Sequence, residues 1–247
     1  MPYAASQGAR IYYEVEGEGS PLLLHHGFTS RLRAWRQHGY VAALRGRHRL
    51  VLLDARGHGA SDKPHDREAY RMPLRVADVV AVLDAAGVDR AHYLGYSMGG
   101  TVGFALARLA PERLRSLVVG GAHPYPATVS SFPEVDGSDS EAFARALEAA
   151  LGEPLARETR AAALANDLRA LAAAARADAL LGAPSVPVPC LLFVGERDQR
   201  LADARRFAAE TPGARLVTLP GLNHQEAMTR SDLVLPAVTA FLGEIDG

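Results

Sequence analysis

The run Tyr93-Leu94-Gly95-Tyr96-Ser97-Met98-Gly99-Gly100-Thr101 constrains the fold more than any other stretch of this 247-residue chain. Ala91 to Leu94 reads as the end of a short buried strand, and Val102 to Ala110 reads as an apolar helix. A Gly-x-Ser-x-Gly turn between them must reverse the chain in very few residues. Glycines on both sides of Ser97 remove the Cβ atoms that would block so sharp a strand-to-helix turn. Ser97 is therefore expected in a strained backbone, with its hydroxyl projecting over the sheet edge and a helix N-terminus beneath it. The competing account, a surface serine in an ordinary turn, loses ground once the rest of the chain is read.

Around that turn, strand and helix patterns alternate. Arg10 to Gly17 alternates with β-forming residues and is expected as an edge strand. Pro21 to His25 is a short continuous apolar run, of the kind buried on both faces of a parallel sheet, and it runs into His26-Gly27-Phe28-Thr29-Ser30. A helical segment from Trp35 to Leu44 precedes a third strand, Arg49 to Leu53, which exits into Asp54-Ala55-Arg56-Gly57-His58-Gly59-Ala60-Ser61-Asp62. Leu74 to Ala86 has helical spacing and Gly87 is a plausible stop. After the Ser97 unit comes another strand, Leu114 to Gly120. The expected fold class is α/β, a mostly parallel sheet flanked by helices.

The rhythm breaks after Gly121. His123 to Asp139 reads as loop, and Glu141 to Leu181 is largely Ala, Leu, Arg and Glu, consistent with two or three helices. Alternation resumes with Cys190 to Val194 and Ala214 to Leu219. The chain thus divides into a core domain, 1–121 with 186–247, and a helical insertion at 122–185 between two late strands. That insertion is expected to be a cap over the site, against the plainer possibility of a long crossover.

A serine hydroxyl is a poor nucleophile unless a neutral imidazole takes its proton, and the imidazole needs an acceptor to fix its tautomer. Of nine histidines, His224 in Gly221-Leu222-Asn223-His224-Gln225 follows the last predicted strand, on a loop at the carboxyl edge. Asp198 in Gly195-Glu196-Arg197-Asp198 follows the strand ending at Val194, at the same edge. Glu196 is the nearer rival for the acid. Asp54 also follows a strand, but its loop context suggests bracing. His26 is expected to brace its own loop, and His58 and His123 to be loop or cap residues. No histidine forms a metal-ligand spacing with cysteines or carboxylates, so no metal is expected.

Composition bounds the rest. A net charge of −1 without a long basic cluster argues against nucleic acid. The single cysteine, Cys190, excludes an intrachain disulfide and fits a reducing compartment. No apolar run approaches membrane-spanning length and no leader pattern is visible, so a cytoplasmic protein that does not engage membranes is expected, with its oligomeric state unreadable.

His26-Gly27-Phe28, Asp54-Ala55-Arg56-Gly57-His58-Gly59-Ala60-Ser61, the Ser97 turn, Gly195-Glu196-Arg197-Asp198 and Gly221-Leu222-Asn223-His224 together resemble the α/β-hydrolase-fold enzymes over nearly the whole chain. The resemblance implies a serine hydrolase with the triad Ser97, Asp198 and His224, and an oxyanion hole from the backbone N–H groups of Phe28 and Met98. Met98 is favoured physically too, as its amide lies at a helix start. Tyr96 and Arg31 are candidate substrate contacts, although Arg31, like Arg33, also fits a solvated surface. Dehalogenases and epoxide hydrolases of this fold carry aspartate where Ser97 stands, which argues against both reactions. The implied chemistry is acyl transfer on a small ester or lactone, without a cofactor. Cleavage of a carbon–carbon bond in a vinylogous diketone is the alternative, and a non-catalytic small-ligand receptor on the same fold is the alternative from another class.

Overall fold

The computed structural model describes residues 2–125, 135–177 and 186–247. Eight strands form one sheet in the spatial order β1-β2-β4-β3-β5-β6-β7-β8. They are β1 (Tyr3–Ser6), β2 (Ala9–Glu16), β3 (Ser20–His25), β4 (His48–Leu53), β5 (Ala91–Tyr96), β6 (Leu114–Gly120), β7 (Cys190–Gly195) and β8 (Ala214–Leu219). Only β2 runs antiparallel, pairing with β1 on one side and β4 on the other; β4 through β8 are parallel.

The central parallel strands carry continuous apolar runs because both faces are covered. In β3, Leu22 and Leu24 join one core and Leu23 the other. In β4, Leu50 and Leu52 separate in the same way from Val51 and Leu53. Period-2 alternation between two dry faces makes each of these runs continuous. One face packs against α3 (Met72–Ala85), α4 (Met98–Leu109) and α8 (Leu201–Glu210). The other packs against α1 (Arg33–Gln37), α2 (Tyr40–Leu44) and α10 (Ser231–Asp246).

Two expectations need correction. Arg10 to Gly17 is not the edge of the sheet, because β1 lies outside it. Gln7 and Gly8, at φ of 44° and 80°, make a two-residue hairpin turn whose twist suits adjoining strands. The Trp35 to Leu44 segment is two short helices, broken where Gly39 adopts φ of 81°.

Between β6 and β7 lie α5 (Ser140–Leu151), α6 (Arg157–Leu164) and α7 (Leu168–Ala175). Their apolar faces meet in a separate cluster of Phe143, Ala146, Leu147, Ala163, Leu171 and Ala172, against which Phe28 of the core packs. Asp139 caps α5 and Asp167 caps α7 through their side chains. The parts of the expected insertion at 126–134 and 178–185 lie outside the described residues. No helix among the described residues is long and apolar enough to cross a membrane.

Candidate active site

The turn between β5 and α4 holds Ser97 at φ of 52° and ψ of −111°, a conformation that non-glycine residues rarely adopt. The Ser97 amide donates to the Gly120 carbonyl at 2.7 Å, tying the turn to β6. A Cβ on Gly95 would stand 2.4 Å from the Gly99 carbonyl oxygen, and one on Gly99 would stand 2.2 Å from that of His25. Both glycines are therefore demanded by close backbone approach rather than by a positive φ.

Two further loops leave the same edge of the sheet and are knitted together. The Arg197 amide donates to the Leu222 carbonyl at 2.9 Å, and the Glu196 carboxylate accepts the Gly221 amide at 2.8 Å. Glu196 thus faces the neighbouring loop, while Asp198 turns inward. His224 is not on a loop as expected; it is the first residue of α9 (His224–Thr229). Asn223 and Glu226 form a capping box that starts this helix, each side chain accepting the other's backbone N–H. The Tyr96 hydroxyl donates to the His224 carbonyl oxygen, fixing the histidine backbone to the end of β5.

These elements bring Ser97, His224 and Asp198 into line. Asp198 Oδ2 lies 2.6 Å from His224 Nδ1, and His224 Nε2 lies 3.0 Å from Ser97 Oγ. Burial raises the Asp198 pKa, but the hydrogen bond from His224 and the charge of Arg200 outweigh it and hold the carboxyl at about 2. An ionised carboxylate accepts only, so Nδ1 carries the imidazole proton and Nε2 presents its lone pair to the serine hydroxyl. Burial is the main force lowering the His224 pKa; the bond to Asp198 opposes it and the charge of Arg200 adds to it. The imidazole is thereby kept neutral and able to take a proton near neutral pH.

The loop after β3 lies beside Ser97: a Cβ on Gly27 would be 3.5 Å from the Ser97 Cβ. Two buried histidines brace it. His26 Nδ1 donates to the Gly27 carbonyl at 2.8 Å, and its Nε2 accepts the Ala55 amide at 3.0 Å. His58 Nδ1 donates to the Arg56 carbonyl, and its Nε2 accepts the Thr29 amide at 3.3 Å. Thr29 has φ of 62°, and its carbonyl accepts Nδ2 of Asn166, between α6 and α7, at 3.0 Å. Asp54 also braces, accepting the Leu32 and Ala60 amides at 2.8 Å each. Met98 is the first residue of α4, so its amide has no acceptor within the helix.

A cleft of about 250 Å³ opens over Ser97 and His224. Gly27, Phe28 and Tyr96 line it, together with the apolar Leu147 and Leu151 of α5, Leu155, and Met228 of α9. Tyr96, expected as a substrate contact, lines the cleft while its hydroxyl is committed to His224. Arg31, also expected as a substrate contact, is exposed and is not among the cleft's lining residues, while its neighbour Leu32 is buried.

Arg200 escaped the sequence reading. Its Nη1 lies 3.1 Å from Asp198 Oδ1, and its Nη2 donates to the Ala150 carbonyl of α5 at 3.4 Å. A cation two residues beyond the acid was the available signal. Gln225 and Glu153, joined at 3.4 Å beside the cleft, gave none.

Comparison with known proteins bears on the fold. Residues 20–165 match the family model described as the alpha/beta hydrolase fold. A solved hydrolase from Pseudomonas aeruginosa is 28% identical with a TM-score of 0.83, the alignment covering 98% of each chain. The enol-lactonase from Burkholderia xenovorans is 25% identical with a TM-score of 0.79, covering 98% of this chain and 100% of that one. A protein of Azorhizobium caulinodans assigned as a carbamate hydrolase is 41% identical over 119 residues, 48% of this chain and 43% of that protein. The chain thus spans less than half the length of that curated relative.

Proposed function

The chain belongs to the alpha/beta hydrolase fold family, and from that premise we propose that it cleaves a carboxylic ester or lactone through an acyl-enzyme on Ser97. The observation that carries this is the unbroken line from Asp198 through His224 to Ser97, with hydrogen-bond distances at both junctions. His224 Nε2 takes the Ser97 proton as Oγ attacks the carbonyl carbon. The backbone N–H groups of Phe28 and Met98 stabilise the oxyanion, the second aided by the N-terminal end of α4. His224 then protonates the leaving alkoxide, and in the second half it activates water to release the acid and restore Ser97. Asp198 holds the tautomer and stabilises the imidazolium throughout. The helices α5 to α7 serve as the cap, closing the cleft above Phe28. Ser97→Ala tested on aryl esters, lactones, thioesters and diketones should lose at least about 10⁴-fold in kcat on every substrate turned over, while circular dichroism stays unchanged. Retained turnover by the folded variant would exclude Ser97 as nucleophile.

A further inference from the structure

We infer that the cleft takes an ester or lactone whose buried acyl part is uncharged, and that Glu153 at its side discriminates against carboxylate-bearing substrates. This rests on the serine hydrolase assignment of the same site.

The charges around the cleft carry the inference. Among the described residues, the lining contains no arginine, lysine, aspartate or glutamate. Its titratable side chains besides Tyr96 are His224, committed to Asp198 and Ser97, and His38, which burial holds below the ordinary imidazole value. The segments 126–134 and 178–185 contain no lysine, arginine or histidine, so neither can supply a counter-charge. Arg200 lies on the far side of His224 from Ser97, paired with Asp198. Arg31 is exposed outside the lining. Glu153 brings a formal negative charge beside the cleft. Gln225, a lining residue, donates Nε2 to Glu153 Oε1 at 3.4 Å, and the charge of Glu153 is felt at both His224 and Tyr96 beside those of the Asp198–Arg200 pair.

A carboxylate entering this space would lose its hydration without gaining a cation or a charged donor, and it would face Glu153. The side chains of Leu147, Leu151, Leu155 and Met228 gain instead from covering methylene groups. The polar residues Gln225, Thr159 and Thr229 can hydrogen-bond a neutral ester or lactone oxygen, but they cannot neutralise an anion.

The test compares two esters that differ by one terminal group, 4-nitrophenyl hexanoate and the mono-4-nitrophenyl ester of adipic acid, at pH 7.5 and in low salt. The neutral ester is expected to have a kcat/KM at least about 100-fold higher. Glu153→Gln is expected to narrow that ratio several-fold, and Leu151→Arg, which puts a cation on the apolar wall, to narrow it further. Equal or better turnover of the adipate ester by the natural chain would overturn the inference while leaving the serine hydrolase assignment standing. So would an unchanged ratio in both folded variants. If neither ester is hydrolysed and a serine-directed phosphonate leaves Ser97 unmodified, the hydrolase assignment falls and takes this inference with it.

Discussion

Arg200 and His224 share one carboxylate, that of Asp198, from opposite oxygens: Arg200 Nη1 lies 3.1 Å from Oδ1 and His224 Nδ1 lies 2.6 Å from Oδ2. The Arg200 backbone N–H also donates to Oδ1 at 3.0 Å, so Asp198 is held in one orientation from three directions. Because Arg200 also reaches the Ala150 carbonyl, the Asp198 carboxylate is connected to the C-terminal end of α5 through one side chain.

Arg200 acts on the site through charge as well as position. Its field lowers the pKa of both Asp198 and His224. Arg200→Gln should therefore raise the His224 pKa, shifting the acidic limb of the kcat/KM profile to higher pH. In the natural chain that limb should lie below the free imidazole value of about 6.5, since only the unprotonated imidazole can act as base. A lower kcat with an unmoved limb would assign Arg200 a purely structural part.

Asp198→Asn should lower kcat by about 10³-fold or more, because an amide cannot stabilise the imidazolium and favours the wrong tautomer. Glu196→Gln should cost less than tenfold, since that carboxylate accepts only the Gly221 amide at an exposed position. Steady-state kinetics on one ester decides between them, and reversed effects would make Glu196 the acid.

Two glycine-to-alanine changes should act in opposite directions. Gly99→Ala places a methyl 2.2 Å from a backbone carbonyl that cannot yield, and should destabilise by about 3 kcal/mol or more. Gly243→Ala, within α10 and with no neighbouring atom within 4 Å, should stabilise by about 0.5–1 kcal/mol through helix propensity. Urea midpoints at constant slope test both.

His26 and His58 should make the loop after β3 sensitive to acid. Burial lowers both pKa values, so each is neutral when folded, with Nε2 accepting a backbone N–H. The unfolded chain binds their protons more readily than the folded one. Their contribution to stability is full above about pH 6.5 and is lost as pH falls from there through the lowered folded values. Unfolding followed from pH 8 to 5 should show stability falling below 6.5, and His58→Gln should flatten part of that slope. A flat profile would mean that neither histidine gains a proton on unfolding.

The parallel strands and the turns after them that lead to Ser97, Asp198 and His224 were legible because each turn follows an apolar strand run and is punctuated by glycine. The continuous Leu22 to Leu24 and Leu50 to Leu53 runs announce strands with two dry faces. Tyr3 to Ser6 carried no such signal; four residues become a strand only by pairing with β2. The helical start at His224 was written in Asn223 and Glu226, a capping pair within a stretch otherwise read as loop. The cleft's walls were illegible for another reason. Leu147, Leu151 and Leu155 sit in an Ala- and Leu-rich segment whose helical pattern shows an apolar face but not what that face meets, and long-range packing sets it against Phe28.

The central claim, that Ser97 is a nucleophile activated by His224, is tested most directly by covalent labelling. The intact protein is treated with a fluorinated alkyl phosphonate, digested and read by mass spectrometry, beside Ser97→Ala and His224→Ala. The expected result is a single adduct on Ser97, absent from the first variant and slowed by at least about 10³-fold in the second. An adduct on another serine, or labelling of Ser97 at an undiminished rate without His224, would contradict it.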